Sequence, residues 1–592
     1  MVDKDGVSDI DRERSPYLRF SSPGSALQPV GRGELGGKAR GLESIRSTLA
    51  EHGSDPALSG FTVDIPQCWV ITTDWFDRFM KENNLDDLAR SDTKNVHLAN
   101  AFVKGKLPEE LIDSLREIIK EVHAPLAIRS SSRLEDAMLE PFAGVYATKM
   151  IPNNQFSAEA RLRTLLDAVK FVYSSTFFTN AKNYRRAIGR GEGEEKMAVM
   201  IQEVVGERHG NRFYPTLSGV ARSYNFYSQG HARPAQGIVS LALGLGKTIV
   251  DGGRAWTYCP THPRAEPPFG STQEMLKQTQ TRYWSVNMGK PPSYDPIRES
   301  EFLCQGDLGN AESDGVLTHL ASTYNPESDR ITPGVGIPGA RVLNFAPMLQ
   351  LDTLPLNNLV KRLLEICEEK YQNPVEIEFA MNPDPAGRPG GRFGFLQVRP
   401  MLVTGDVVEV KEDELSGPGI LVASDQVLGN GQTEEIQDVV YVKPDAFSAK
   451  ETWMIATELD LMNRRLLDAG RPYLLVVIGR LGTSDPWLGI PVEWGQVAGA
   501  RAIVETSVTE MNVDRSQGSH FFHNVMNLKV FYFSEDRTGK NPICWDWLHQ
   551  QQVREETRYV RHVALDAPLS VKVDGRSGRG VIRHEGSDAI RD

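Results

Sequence analysis

Two glutamates stand two residues apart in VEIEF (375–379), and a glutamine and an arginine are spaced likewise in FLQVRP (395–400). A loop rich in Pro and Gly separates the two runs, so they read as a β-hairpin. Side chains alternate across a strand, which sets Glu376 and Glu378 on one face and Val375, Ile377 and Phe379 on the other. On the return run Gln397 and Arg399 oppose Leu396 and Val398. Burying the apolar faces together leaves the two glutamates, the glutamine and the arginine on one surface. Two carboxylates suit a hard cation such as Mg²⁺ bridging phosphate oxygens, and the arginine suits the phosphates themselves. A solvated polar face has the same pattern.

Three further stretches hold groups of this kind. In LGGKARGLESI (35–45), Gly36 and Gly37 precede a helix with Lys38 at its start. Free N–H groups, the positive end of the helix dipole and a lysine make an anion site, or else the pair is a plain turn. In APLAIRSSSRLEDAMLEPFAG (124–144) an apolar strand runs into Arg129 and three serines. This places a guanidinium and several donors at a strand's carboxyl end, where α/β folds bind ligands. The alternative is a serine-rich turn whose arginine pairs with Glu135 or Asp136. In RPYLLVVIGRLGTSDPWLGIPVEW (471–494) a buried strand likewise empties into a loop with Arg480, Thr483, Ser484 and Asp485. His520 follows in DRSQGSHFFHN, with Arg515, Ser519 and His523 close by. A neutral imidazole can accept a phosphoryl group, though a histidine beside two phenylalanines also suits a packed, hydrogen-bonded position. LALGLGKTIVDGG (241–253) carries Gly-Lys-Thr, but a phosphate-wrapping P-loop needs a glycine five positions earlier, and that residue is Leu241.

These groups must be positioned by a large chain. Its 592 residues suggest roughly three or four domains. Strands such as PLAIRS and MAVMIQEVV alternate with helices such as ARGLESIRSTLAEH, where Leu42, Ile45 and Leu49 fall at helical spacing, so the fold class is mixed α/β. Breaks in composition divide the chain into a polar arm (1–28), a large domain (29–401, in lobes of about 29–195 and 196–401), a smaller C-terminal α/β domain (402–585) and a tail (586–592). A formal net charge of −12 argues against nonspecific attraction to nucleic acid or acidic membranes. No apolar run approaches the roughly 20 residues of a membrane span, and the N-terminus lacks the apolar core of a signal peptide, so the expected location is the cytoplasm. The five scattered cysteines read as reduced, mostly structural thiols.

In this order, LGGKARGL, IPQCWVITTDWFDRFM, LAIRSSSRLEDAMLEPFAGVYAT, MAVMIQEVVG, SGVARSYNF, ALGLGKTIVDG and VEIEFAM with FLQVRP resemble the ATP-binding domain of phosphoenolpyruvate synthase and pyruvate phosphate dikinase, a branch of the ATP-grasp fold. The resemblance covers residues 30–401. It implies an ATP cleft between two lobes, with phosphoryl transfer to a histidine on a separate mobile domain. Carried over by position, Lys38 and Arg129 contact phosphates, Gln202 lies near the adenine, Glu376 and Glu378 hold Mg²⁺, and Gln397 and Arg399 close the phosphate end. Two departures stand out: Lys247 replaces a commonly acidic residue, and GVARSYNF replaces GVAFTRDP. The family's Thr-Ser-His-Ala-Ala motif is absent, and the residues after 402 are too few for a (β/α)₈ barrel of about 250 residues.

The resulting expectation is an ATP- and Mg²⁺-dependent phosphotransferase, with Lys38, Arg129 and Arg399 neutralising charge. Its acceptor would be a separate phosphohistidine-carrying protein, a small molecule held near Arg480, Ser484 and Asp485, or His520. A nucleotide-binding regulatory or scaffold module without turnover is the alternative, and a carboxylate-activating ligase a third.

Overall fold

A computed structural model describes residues 27–133, 135, 144–189, 195–225, 233–265, 271–401, 408–483, 487, 489–506, 521, 524, 525, 528, 530–535, 542–575 and 577–584. The arm is therefore described only from Leu27 and the tail not at all. Two sheets build the large domain. The first has five strands in the order Leu27–Val30, Cys68–Ile71, Met197–Glu203, Leu126–Ser132, Thr148–Ile151. The second has six, in the order Trp256–Tyr258, Ile238–Leu243, Leu217–Arg222, Val375–Pro383, Gly391–Pro400, Phe61–Asp64.

Strands such as Met197–Glu203 and Ile238–Leu243 are largely apolar because helices or other strands cover both their faces. Against the first sheet pack Thr73–Glu82, Glu109–Glu121 and Ala158–Ser175, which turn Phe76, Phe79, Leu115, Ile118 and Val169 inward. The helix Gly37–Glu51 follows its predicted spacing, with Leu42, Ile45 and Leu49 buried. Its apolar stripe packs into a core shared by the two sheets, with Cys68, Val70, Ala198 and Met200 of the first and Ala221, Ile377 and Val398 of the second. Phe61–Asp64 pairs in parallel with Gly391–Pro400 of the second sheet. The chain thus crosses between the lobes before residue 65, and a division at 195 does not follow the sheets.

The C-terminal domain is a third α/β unit. Its sheet contains four consecutive parallel strands, Gly431–Val442, Tyr473–Ile478, Ala500–Thr506 and Phe531–Glu535. The helix Thr452–Asp468 links the first two. Tyr473–Ile478 is buried along its whole length, as a central parallel strand must be. Among the described residues no helix is long and apolar enough to cross a membrane. All five cysteines are free thiols, and burial pushes Cys68 and Cys367 up to about 12, which keeps them protonated and inert.

Candidate active site: a cleft with three walls

A cavity of about 460 Å³ lies where the two sheets of the large domain meet the C-terminal domain. Arg129 reaches into it from the middle of Leu126–Ser132. The strand does not end at the arginine, as the serine run suggested. Instead Ser130, Ser131 and Ser132 continue it, opposite Val199, Ala198 and Met197, and their hydroxyls find partners in the interior.

The Arg129 fork spans the two lobes. Its Nη2 donates to Gln397 Oε1 at 2.7 Å and to Glu378 Oε2 at 3.2 Å, while Nη1 donates to the Leu396 carbonyl at 3.2 Å and to Gln202 Oε1 at 3.3 Å. Glu135, offered as its partner in the turn alternative, takes Lys38 instead. Lys38 Nζ lies 2.8 Å from Glu135 Oε1 and 3.3 Å from Ser130 Oγ. The two glycines before Lys38 are required by this approach. A Cβ at Gly36 would stand 1.6 Å from the Ser131 carbonyl oxygen, and one at Gly37 would stand 1.5 Å from that of Glu135.

The hairpin forms in the expected register, with Glu376 opposite Arg399 and Glu378 opposite Gln397. The two glutamates nevertheless have different surroundings. Glu378 faces the cavity and Arg129. Glu376 is 1% exposed, and its carboxylate accepts from Arg222 Nε at 2.6 Å and from Arg399 Nε at 2.9 Å and Nη2 at 2.5 Å. The pair therefore does not present two carboxylates to a single ion. What remains fits Mg²⁺ in another way: one carboxylate, Glu378, beside one amide oxygen, Gln397, with substrate phosphates left to complete the shell. Gln202 adds an orphan. Its Oε1 is held by Arg129, but its buried Nε2 has no hydrogen-bond partner among the described residues, a donor suited to a ring nitrogen or carbonyl of a bound base.

Lys247 also lines the cavity, at the start of a four-residue helix, Lys247–Val250. Its Nζ lies 2.8 Å from Asp251 Oδ2. Burial works against its charge, but Asp251 and Glu299 overcome that and hold its pKa above the usual value. The preceding segment is a strand and a tight turn at Gly244, φ 79°, and forms no phosphate-wrapping loop.

Of the expected C-terminal residues, Ser484, Asp485 and His520 lie outside the described residues. Arg480 is described and buried. Its Nη2 donates to the Gly252 carbonyl, to which Thr483 Oγ1 also donates at 3.2 Å. It joins two domains and does not project into the cavity. The sequence pattern alone had not singled out Arg222, Glu299, Glu493 or Trp494.

Behind the cavity wall, Tyr146 donates its hydroxyl to Glu195 Oε2 at 2.8 Å, and the Arg133 amide donates to Glu195 Oε1 at 3.1 Å. Burial raises the Glu195 carboxyl from the usual range to about 7. Between about pH 4.5 and pH 7 the unfolded chain releases a proton that the folded chain retains, so stability falls as pH rises through this window. The loss attributable to Glu195 is about 3 kcal/mol in total. Urea unfolding at about pH 5 and about pH 8 should show Glu195→Gln flattening this fall.

Residues 32–416 match the family model of the pyruvate phosphate dikinase AMP/ATP-binding domain. Two curated relatives align with part of this chain. One is the uncharacterized phosphotransferase YvkC of Bacillus subtilis, 26% identical over 217 residues, which are 36% of this chain and 22% of the relative. The other is a probable phosphoenolpyruvate synthase of Methanocaldococcus jannaschii, 26% identical over 212 residues, 32% of this chain and 16% of the relative. The chain thus spans less than a quarter of the length of each.

Proposed function

The chain belongs to the family of the pyruvate phosphate dikinase AMP/ATP-binding domain, and on that premise we propose that it is a phosphotransferase that binds ATP with Mg²⁺ in the three-walled cleft. The observation that carries this reading is Arg129, a guanidinium held across both lobes by Glu378, Gln397, Gln202 and the Leu396 carbonyl. A polyphosphate competes well for such a fork, since each oxygen accepts a charge-assisted hydrogen bond.

Phosphoryl transfer requires positioning and neutralisation of charge on the transferred group, with little covalent chemistry from the protein. Arg129 supplies a fixed fork at the phosphates. Lys38 supplies a second charge on release from Glu135, and Arg399 closes that end, oriented by Glu376. Gln202 Nε2 donates to the base. Glu378 with Gln397 would hold Mg²⁺, which when bound supplies further neutralisation of the phosphate oxygens. Glu376 has a different role, holding Arg222 and Arg399 in place. The location we assign is the cytoplasm.

One observation favours a second reading, a nucleotide-binding module without turnover. The charged groups satisfy one another internally, Lys38 with Glu135, Lys247 with Asp251 and Glu376 with two arginines, so each must exchange partners before it can act. Titration of the purified chain with ATP, with and without Mg²⁺, tests the shared premise of both readings.

A further inference from the structure

A second cavity, of about 150 Å³, lies on the helical side of the first sheet. Its walls come from the helices Thr73–Glu82, Asp86–Arg90 and Thr179–Ala187 and from the two residues that lead into the strand Met197–Glu203. It shares no lining residue with the cleft. One hydrogen bond joins the two walls, since Tyr146 lines the cleft and donates to Glu195, which lines the smaller cavity.

Arg185 sets the character of this cavity. It stands in the last turn of Thr179–Ala187, is 1% exposed and lines the cavity. Its Nη1 donates to the Thr176 carbonyl at 2.8 Å, just beyond the end of the helix Ala158–Ser175. Its Nε and Nη2 have no hydrogen-bond partner among the described residues. Those two atoms form one edge of the guanidinium, and such an edge meets both oxygens of a carboxylate at once. Buried donors left unmet cost free energy, which an acceptor from outside the chain recovers.

The charges around the cavity differ in how far they are already answered. Arg90, Lys182, Arg185 and Lys196 line it together with Asp77, Asp86 and Glu195. Asp77 is taken by Lys196. Asp86 and Arg90 offset each other at the exposed ends of one short helix, and Lys182 donates to the Ser91 carbonyl at 2.6 Å. Glu195 is in charge range of Arg185, but its oxygens already accept from the Tyr146 hydroxyl and from the Arg133 and Lys196 amides. Burial, aided by the charge of Glu135, raises that carboxyl to about 7 against the pull of Tyr146, Arg185 and the Arg133 amide, so near neutral pH it is only partly ionised. It therefore answers the Arg185 charge incompletely. The rest of the wall is apolar: Phe76, Met80 and Ala89 are at most 5% exposed, and Phe177 stacks on Phe76 with ring centroids 6.1 Å apart. A volume of about 150 Å³ admits a body the size of one benzene ring.

We propose that this cavity binds a small monocarboxylate with an apolar body no larger than one ring, its two oxygens on the Nε and Nη2 edge of Arg185 and its body against Phe76, Met80 and Phe177. Inorganic phosphate could meet the same edge but would leave the apolar wall unfilled. The site is separate from the nucleotide cleft and does not rest on the phosphotransferase reading.

Calorimetric titration of the full chain with benzoate tests this. Benzyl alcohol keeps the ring without the carboxylate, and acetate keeps the carboxylate without the ring. Benzoate should bind at least about tenfold more tightly than either, and excess ATP with Mg²⁺ should not displace it. Arg185→Lys keeps a charge but loses the edge, whereas Ala89→Leu fills the cavity and leaves every charge in place. Melting temperatures verify folding, and each variant should weaken benzoate at least about tenfold; if Arg185→Lys does not fold, Ala89→Leu decides. No binding of benzoate, equal binding of benzyl alcohol or acetate, or folded variants that bind as well as the parent would overturn the proposal. So would inorganic phosphate binding as tightly as benzoate, which would make this a general anion site, or displacement by ATP, which would make it part of the cleft. ATP titrated alone is a separate measurement: its failure to bind removes the reading of the cleft and leaves this inference standing.

Discussion

Arg129→Ala should lower ATP-dependent turnover by about two to three orders of magnitude, the usual loss when one preorganised charge-stabilising group is removed. The guanidinium is positioned by four protein acceptors from both lobes, and polyphosphate oxygens take over some of those hydrogen bonds when they bind. Among the described residues of the cavity wall the other cation is Lys247, which is paired with Asp251. Lys38 and Arg399 do not line the cavity and are paired with Glu135 and Glu376. Arg129→Lys should recover little, because a single ammonium cannot reproduce a fork that spans Glu378 and Gln397. Lys247→Ala is the informative comparison and should cost about tenfold or less, since that lysine is paired with Asp251 in a segment that wraps no phosphate. Equal losses at Arg129 and Lys247 in steady-state kinetics would return the Gly-Lys-Thr segment to the centre of phosphate binding.

Glu376→Ala should destabilise the fold by about 3–5 kcal/mol, since it removes the carboxylate that two buried guanidinium groups share. The side chains of Arg222 and Arg399 are 2% and 4% exposed, and Glu376 accepts from both. Burial already pulls the Arg222 pKa below its usual value, and the glutamate is the main group opposing that effect. Arg222→Met should cost distinctly less, because Glu376 then keeps one arginine. Denaturant unfolding of the two variants gives the comparison. A loss below about 1 kcal/mol for Glu376→Ala would mean that water or a rearranged carboxylate reaches the arginines.

The different roles of Glu376 and Glu378 show how far the sequence alone can be read. Alternation within a hairpin sets which residues share a face, and that placed Glu376, Glu378, Gln397 and Arg399 together correctly. It carries no information about the strand that lies alongside. Arg222 comes from Leu217–Arg222, 154 residues earlier in the chain than Glu376, and only the six-stranded sheet order brings the two together.

The serines after Arg129 misled for a related reason. Polar residues usually mark a strand's end, but Ser130, Ser131 and Ser132 stay in the sheet because Glu135 and the Leu35 carbonyl satisfy their hydroxyls. The helix Gly37–Glu51 was legible in extent, since its apolar spacing is local, yet not in its place between the two sheets. Least legible was the third wall. Trp494 and Glu493 lie in a short turn whose meaning depends on docking against Asn180 and Asn183, more than 300 residues away in the chain.

The central claim is that the cleft is an ATP site. Calorimetric titration of the intact protein with ATP, in the presence and absence of Mg²⁺, measures this directly. One ATP per chain is expected, bound more tightly with Mg²⁺ than without it and lost in Arg129→Ala. An intact, folded protein that takes up no ATP with Mg²⁺ present, or that binds it equally well after Arg129→Ala, would contradict the claim.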